Sequence, residues 1–411
     1  MRGFGTNSLW HRFEAQLVTE DGQTELSEEQ RKIVVRSIVG KFSELRGGIE
    51  AAKETEPESA HLLLQYLLSS NFDSSTAEYQ KISKTVVESV KIGGEAATSA
   101  GRLLRAEAAC RILNHTYNYY PPTSPLRPFT LLTLLSLLKT LSELPSLPLT
   151  TSFLSTSLSQ WSITEDEKIA FLTSAATVYE SSGNLSKSLE LHIFALGLSE
   201  QAGKASLLEK ALVLAISVAD RFSLDEVLRV QGVKQNLTGK MGELVRLFTE
   251  VDELQAVKEG QEWLGANGPY LESFGVAQLT PETVLRKLRL IALTTLCARS
   301  TTKQLQYSEV ASTLSIERSE VEAWVIDAIR AHLLKARLSQ PLSLIRIHSV
   351  SSAGSRRFGT NEWALLERRL GEWKKSVAEA RLVVDEAEGI AAQGPITHQR
   401  SVKRKDDEIA A

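Results

Sequence analysis

The change of hydrophobic spacing in the last third of the chain constrains the fold more than any other feature of the sequence. From Thr280 the apolar residues recur at intervals of three and four, which predicts a helix, and two shorter helices follow, the second opening at Ser319. After Lys335 the interval shortens towards two, which predicts a strand from Leu342 to Ile347. Three helices followed by β structure indicate a winged-helix module over residues 281–350.

Polar residues mark where two of these helices begin. Thr280 stands immediately before Pro281 and Glu282, the order expected of an N-cap, a first helical proline and an acidic first turn. Ser319 and Glu322 have the spacing of a capping box, in which each side chain bonds to the backbone N–H of the other residue. Both patterns support the predicted helices of the module.

A heptad pattern follows the module and predicts a long C-terminal helix over residues 360–388. Its apolar residues recur alternately every three and four positions. They are Trp363, Leu366, Leu370, Trp373, Val377, Ala380 and Val384. Such a seam needs a partner helix, which is either a helix of another subunit in a bundle or a part of the same chain on which the helix folds back. The polar tail, residues 389–411, is predicted to be disordered.

The rest of the chain is predicted to be helical as well. Leucine fills 60 of the 411 positions, and leucine loses little side-chain freedom in a helix. Residues 1–120 form an N-terminal helical region, and residues 161–280 contain paired helices that suggest a helical-repeat solenoid. Between them, the Pro/Leu/Ser-rich segment 121–160 holds either a buried helix from Phe129 to Leu144 or a partly ordered insertion. The predicted fold class is therefore mainly α.

Composition and motifs give no support to an enzyme. The chain has no phosphate-binding loop, because Gly239-Lys240 is followed by Met241 where a hydroxyl is required, and it has no zinc-protease or nucleophile-elbow motif. Its two cysteines and seven scattered histidines do not have metal-ligand spacing. We therefore predict no catalytic residue, no metal and no cofactor. No apolar stretch is long enough to cross a membrane, so a cytoplasmic protein is expected.

Charge allows only a local contact with nucleic acid. The formal net charge is −3, and the predicted third helix of the module carries Glu317, Glu320, Glu322 and Asp327, which would repel the phosphates of duplex DNA. Basic residues elsewhere in the module leave weak RNA contact open. The candidates are Arg286, Lys287, Arg289, Lys335, Arg337 and Arg346. The alternative is that these are ordinary solvated charges.

The order of solenoid, winged helix and terminal helix resembles the PCI domain of subunits of the proteasome lid, the signalosome and eukaryotic translation initiation factor 3. The likeness covers roughly residues 160–388 and is greatest to the initiation-factor proteins. The residues that carry it are Lys287–Leu290, Val321–Arg330, Arg357-Phe358-Gly359 before Trp363, and Trp161 with Glu165–Lys168. The Pro/Leu-rich segment departs from the family pattern.

This resemblance implies a non-catalytic scaffold subunit whose partners are other subunits of initiation factor 3 and, through that complex, the small ribosomal subunit. In such proteins the winged helices associate edge to edge and the terminal helices enter a shared bundle. The residues expected to bind partners are Leu342, Leu344, Ile347, Trp363, Leu366, Leu370, Trp373, Val377 and Val384. The alternatives are a PCI subunit of the signalosome or proteasome lid, or a winged-helix RNA-binding protein that acts alone.

Overall fold

The computed structural model describes residues 27–49, 56–199, 204–233, 237–300, 302–351 and 360–392, and these residues are mainly α-helical. They form two compact units. The N-terminal unit comprises the described residues up to Phe248 together with Lys258–Leu288, and the C-terminal unit comprises Thr249–Val257 and the described residues from Arg289 onward. The mainly α fold class predicted from the sequence is confirmed.

Consecutive α-helices make up the described chain before the winged-helix module. They are α1 (Glu28–Glu44), α2 (Glu56–Asn71), α3 (Ala77–Ser99), α4 (Leu103–Tyr119), α5 (Leu126–Thr140), α6 (Thr151–Gln160), α7 (Glu165–Ser181), α8 (Leu185–Leu198), α9 (Lys204–Ser217), α10 (Asp225–Leu228), α11 (Gly239–Thr249) and α12 (Glu253–Glu272). Neighbours in sequence pack on each other, for example α3 on α4, α7 on α8 and α8 on α9. This pairing agrees with the predicted helical-repeat architecture.

Local side-chain bonds explain where these helices begin. The Thr164 hydroxyl accepts a hydrogen bond from the Glu167 N–H at 3.3 Å, and the Glu167 carboxylate accepts one from the Thr164 N–H at 2.9 Å, which forms a capping box at the start of α7. Asn184 caps α8 by accepting from the Lys187 N–H at 3.1 Å. The short polar run between α7 and α8 therefore forms the turn of a predicted helix pair.

The Pro/Leu/Ser-rich segment is part of the core. Its helix α5 runs from Leu126 to Thr140, and both Leu135 and Leu137 are completely buried. A short 3-10 helix over Leu144–Ser146 and the helix α6 follow it. The buried-helix interpretation is confirmed, although the helix begins three residues earlier than Phe129 and ends before Leu144.

The winged-helix module begins with α13 (Pro281–Arg299), which Thr280 caps by accepting from the Thr283 N–H at 3.2 Å. The later elements are β1 (Gln304–Gln306), α14 (Tyr307–Leu314), α15 (Val321–Arg330), β2 (Leu334–Ser339) and β3 (Leu344–Val350). The three strands form an antiparallel sheet in the order β1-β3-β2. The predicted strand from Leu342 to Ile347 is wrong in its bounds, since Leu342 lies in the turn that connects β2 to β3.

The core of the module lies between α15 and the inner face of the sheet. Helix α15 packs against β2 and buries Val321, Val325 and Ala328, which follow one another at intervals of four and three. On β3, Ile345 and Ile347 are buried while Arg346 and His348 between and after them are exposed. The alternation gives the sheet an apolar inner face and a polar outer face.

Candidate protein-assembly interface

The start of α15 differs from its predicted capping box. A 3-10 turn over Arg318–Glu320 leads into the helix, and its N-cap residue makes no side-chain hydrogen bond to the helix. The Glu322 carboxylate instead accepts hydrogen bonds from the Tyr307 hydroxyl at 3.2 Å and from the Gln340 side-chain amide at 2.9 Å. The capping-box prediction is wrong because Glu322 links the beginning of α14 to the β2–β3 turn.

Three of the six candidate RNA-contacting residues lie on α13, and two of these have structural roles. The Lys287 side chain is only 2% exposed, and its ammonium donates to the carbonyls of Ala215, Val218 and Arg221 at 3.2, 2.5 and 2.7 Å. These carbonyls belong to the last turn of α9 and to the loop after it, so Lys287 caps the C-terminal end of that helix. Burial lowers the pKa of Lys287 to about 7. Its prediction as an RNA contact is wrong, because a phosphate has no access to the ammonium.

The Arg289 side chain also makes contacts within the C-terminal unit. Its guanidinium lies 5.2 Å from the centre of the Trp324 ring and donates to the Ser315 carbonyl at 3.4 Å. Burial lowers the pKa of this group, with Glu320 acting in the opposite direction. Arg286 is half-buried on the same helix. Lys335, Arg337 and Arg346, the other three candidates, are exposed on β2 and β3.

The strand expected to meet a neighbouring subunit lies in the middle of the sheet. Along Leu344–Arg346, β3 is paired with β1 on one side and with β2 on the other, so this part of the strand has no free edge for another strand. Ile347 is buried in the core, Leu344 is half-buried, and Leu342 is 65% exposed in the turn. The outer strands of this sheet are β1 and β2, so the expectation that this strand lies near the edge that meets a neighbour stays a prediction.

The long C-terminal helix, α16 (Thr360–Ala392), exposes most of its heptad seam. The exposed fractions are Trp363 61%, Leu370 55%, Trp373 68%, Val377 48% and Val384 54%, and Leu366 is half-buried. Burial is the rule for such large apolar side chains when they form a continuous stripe. The helix continues to Ala392, so the expected disordered tail begins too early at Gly389; residues 393–411 lie outside the described residues.

Another side of α16 holds the helix to its own unit. The Arg368 guanidinium donates to the carbonyls of Ala298 and Arg299 at 2.6 and 3.2 Å, which satisfies acceptors at the end of α13. At about 100° per residue, Arg368 points roughly 140–160° away from Leu370 and Trp373 around the helix. Contact with the rest of the unit therefore leaves the middle of the seam open to solvent.

Several buried titratable groups among the described residues are packed within the fold. Burial lowers the pKa of His61 to about 3, and its Nε2 lies 2.7 Å from the Thr116 hydroxyl oxygen inside the helical layers. Burial raises the pKa of the Cys110 thiol to about 11 and that of Cys297 to about 12. Within the described ranges, no group of three or more His, Cys, Asp or Glu residues is arranged to hold a metal ion. The part of the chain that the structure describes also contains no helix with the length and apolarity needed to cross a membrane.

Comparison with known proteins identifies the module and the relatives. Residues 269–349 match the PCI domain family. Over 376 residues the chain is 28% identical to eukaryotic translation initiation factor 3 subunit M of Neosartorya fischeri, an alignment that covers 87% of this chain and 75% of the relative. The protein of the same name from Aspergillus clavatus is 30% identical over 245 residues, 58% of this chain and 50% of the relative. That of Schizosaccharomyces pombe is 36% identical over 96 residues, 23% of each chain.

Proposed function

We propose that this chain, which contains a PCI domain and is a homologue of eukaryotic translation initiation factor 3 subunit M, is a non-catalytic structural subunit of that factor in the cytoplasm. In this role it supports assembly of the 43S preinitiation complex and recruitment of mRNA to the small ribosomal subunit. The observation that carries the proposal is the exposed heptad seam of α16, since a continuous apolar stripe of this kind marks a surface that packs against another helix.

The occupant of the seam is a set of helices from other subunits of the same factor. The seam shows apolar side chains on about three successive heptads, and Trp373 is of the type that dominates the energy of protein interfaces. Charged side chains flank it, including Glu367 and Lys374, and residues in these positions select the partner and its direction in helical bundles. The seam thus has both the apolar centre and the polar rim of an interface.

The PCI domain supplies a second contact. Strand β2 is at an edge of the sheet and presents unpaired backbone groups along Leu334–Ser339, so a neighbouring PCI domain can pair with it. Leu342, exposed in the adjoining turn, lies next to this edge in sequence and adds apolar surface. The edge-to-edge association expected of the family is therefore assigned to β2 and its turn rather than to β3.

Affinity purification tests the proposal. The chain is tagged at its N-terminus, because α16 lies towards the C-terminus, and co-purifying proteins are quantified by mass spectrometry against an untagged control. Recovery of the other subunits of initiation factor 3 in similar amounts is the expected result. Recovery of signalosome or proteasome-lid subunits would assign the chain to those complexes instead. A chain that elutes alone, as a monomer, would remove the scaffold proposal.

A further inference from the structure

We infer that the outer face of the winged-helix sheet binds the phosphate backbone of RNA. This outer face is defined by Lys335 and Arg337 on β2, Arg346 and His348 on β3, and Gln304 on β1. None of the residues in the three strands is acidic. The face is thus positive across two neighbouring strands, in a chain whose formal net charge is −3.

The pairing of the strands places two arginines directly opposite each other. Arg337 on β2 is the cross-strand partner of Arg346 on β3, and both side chains are exposed. Like charges in this relation destabilise a sheet. Among the described residues, neither arginine forms an ion pair with a carboxylate. An anion that bridges the two guanidinium groups would relieve this repulsion.

Protection of a free strand edge does not explain the whole pattern. Lysine and arginine on an edge strand restrict its pairing to selected partners, and this accounts for Lys335 and Arg337 on β2. It does not account for Arg346, because β3 is the central strand and both of its edges are already paired. A positive charge in the middle of the outer face indicates a ligand that lies across the face.

A pocket of about 250 Å³ lies beside the second half of β3. Its lining includes His348, Lys303, Arg369 and one carboxylate, Glu372. The strand register shifts from Ala336 opposite Ile347 to Lys335 opposite Ser349, which leaves His348 as an extra residue on β3. Such a bulge commonly redirects side chains beside a binding site. Lys303 and Arg369 therefore continue the positive charge of the sheet face into a concave surface, where Glu372 opposes it in part.

RNA is favoured over an acidic protein as the occupant. A protein interface needs an apolar centre, whereas the outer face has only Leu344, half-buried, among polar residues. The three strands contain no Phe, Tyr or Trp on which bases could stack, so the face mainly contacts the backbone and does not read the sequence. This choice rests in part on the proposed function, in which the complex lies on the RNA-rich small ribosomal subunit.

Binding of a fluorescent 20-nucleotide RNA of mixed sequence to the purified full chain, followed by anisotropy, tests the inference. With about three phosphates contacted by Lys335, Arg337 and Arg346, the slope of log K against log salt is expected to be about −2. R337E/R346E should lower the affinity at least ten-fold and reduce that slope. These substitutions keep a like-charge pair on the two strands, so the stability of the sheet should change little.

R318E/R330E is the matched control, since it alters the net charge equally at two exposed residues outside the outer face. It should leave most of the RNA affinity intact. Equal losses in both double variants, or no loss in R337E/R346E, would overturn the inference. Equally tight binding of a polyglutamate peptide, with the same sensitivity to R337E/R346E, would reassign the face to an acidic protein and overturn it as well.

The single variant R337E separates a binding role from a structural one. It converts the like-charge pair with Arg346 into an opposite-charge pair, so thermal unfolding should shift upward while RNA affinity falls. Parallel loss of stability and binding would contradict the inference. These measurements use the purified chain alone, so their failure is distinct from a failure to recover initiation-factor subunits by affinity purification.

Discussion

Replacing Leu370 and Trp373 together by aspartate should release the chain from its complex without unfolding it. Both side chains are more than half exposed on the isolated chain, so the fold depends little on them. In a bundle they would lie at the centre of the seam. Two carboxylates in that position would be removed from water without a partner, which is strongly unfavourable.

The size of the effect follows from the area that remains exposed. Full burial of a tryptophan removes about 150–250 Å² from water. About two thirds of the Trp373 surface is still exposed, so a partner could bury roughly 130 Å² of it, worth about 3 kcal/mol at ~25 cal/mol per Å². Leucine is worth about 2–3 kcal/mol when fully buried, and the exposed half of Leu370 adds about 1 kcal/mol. Since association also costs ordering entropy, we expect a net loss of at least about 3 kcal/mol, or a factor of roughly 150 in affinity.

The assay is quantitative mass spectrometry of co-purifying subunits, with equal amounts of tagged wild-type and variant chains. Gly371→Asp with Ala378→Asp is the matched control, because it adds the same number of aspartates at exposed positions of α16 that lie outside the seam. Circular dichroism checks that both variants keep their helix content. Undiminished recovery of partners with the Leu370/Trp373 variant would refute the reasoning, as would an equal loss with the control.

Two further predictions concern the N-terminal unit and its comparison with α16. Burial lowers the pKa of Lys287 to about 7, against about 10.4 in an unfolded chain. Between these two pH values the unfolded state therefore binds more protons than the folded state. The free energy of unfolding should rise with pH in this range, by at most about 1.4 kcal/mol per pH unit. Lys287→Met should flatten this rise between pH 7.5 and 9.5 in urea titrations, and an unchanged pH dependence would contradict the assignment. A Cβ on Gly93 would overlap the carbonyl oxygen of Arg46, so Gly93→Ala should destabilise the protein by about 1–3 kcal/mol. Gly371→Ala, on the exposed side of α16, should instead stabilise its helix by about 0.5–1 kcal/mol, and similar effects of the two substitutions on thermal unfolding would exclude close packing as the cause.

Residues near each other in sequence were enough to predict most helices and the apolar seam. Thr164 and Thr280 cap the helices that follow them, because a cap bonds to an N–H group only three residues away. The seam of α16 was equally readable, since residues three and four apart always share a helix face. The exposure of the seam could not be predicted from the sequence. It depends on which side of α16 faces the end of α13, and the Arg368 contact shows that this is the side opposite the seam.

The same limit applies to the sheet and to the buried charge. The strand β1 has three residues, too few for a periodic signal, and it exists because it pairs with β3 some forty positions later. That pairing places β3 in the centre of the sheet and sets Arg337 opposite Arg346. From sequence Lys287 resembled a solvated charge, but the end of α9 and the loop after it supply three carbonyls from about 70 residues away. Sequence determined the local hydrogen bonds and helix faces, whereas burial, sheet order and the neighbours of each charge arise from distant segments and were decided only by the tertiary structure.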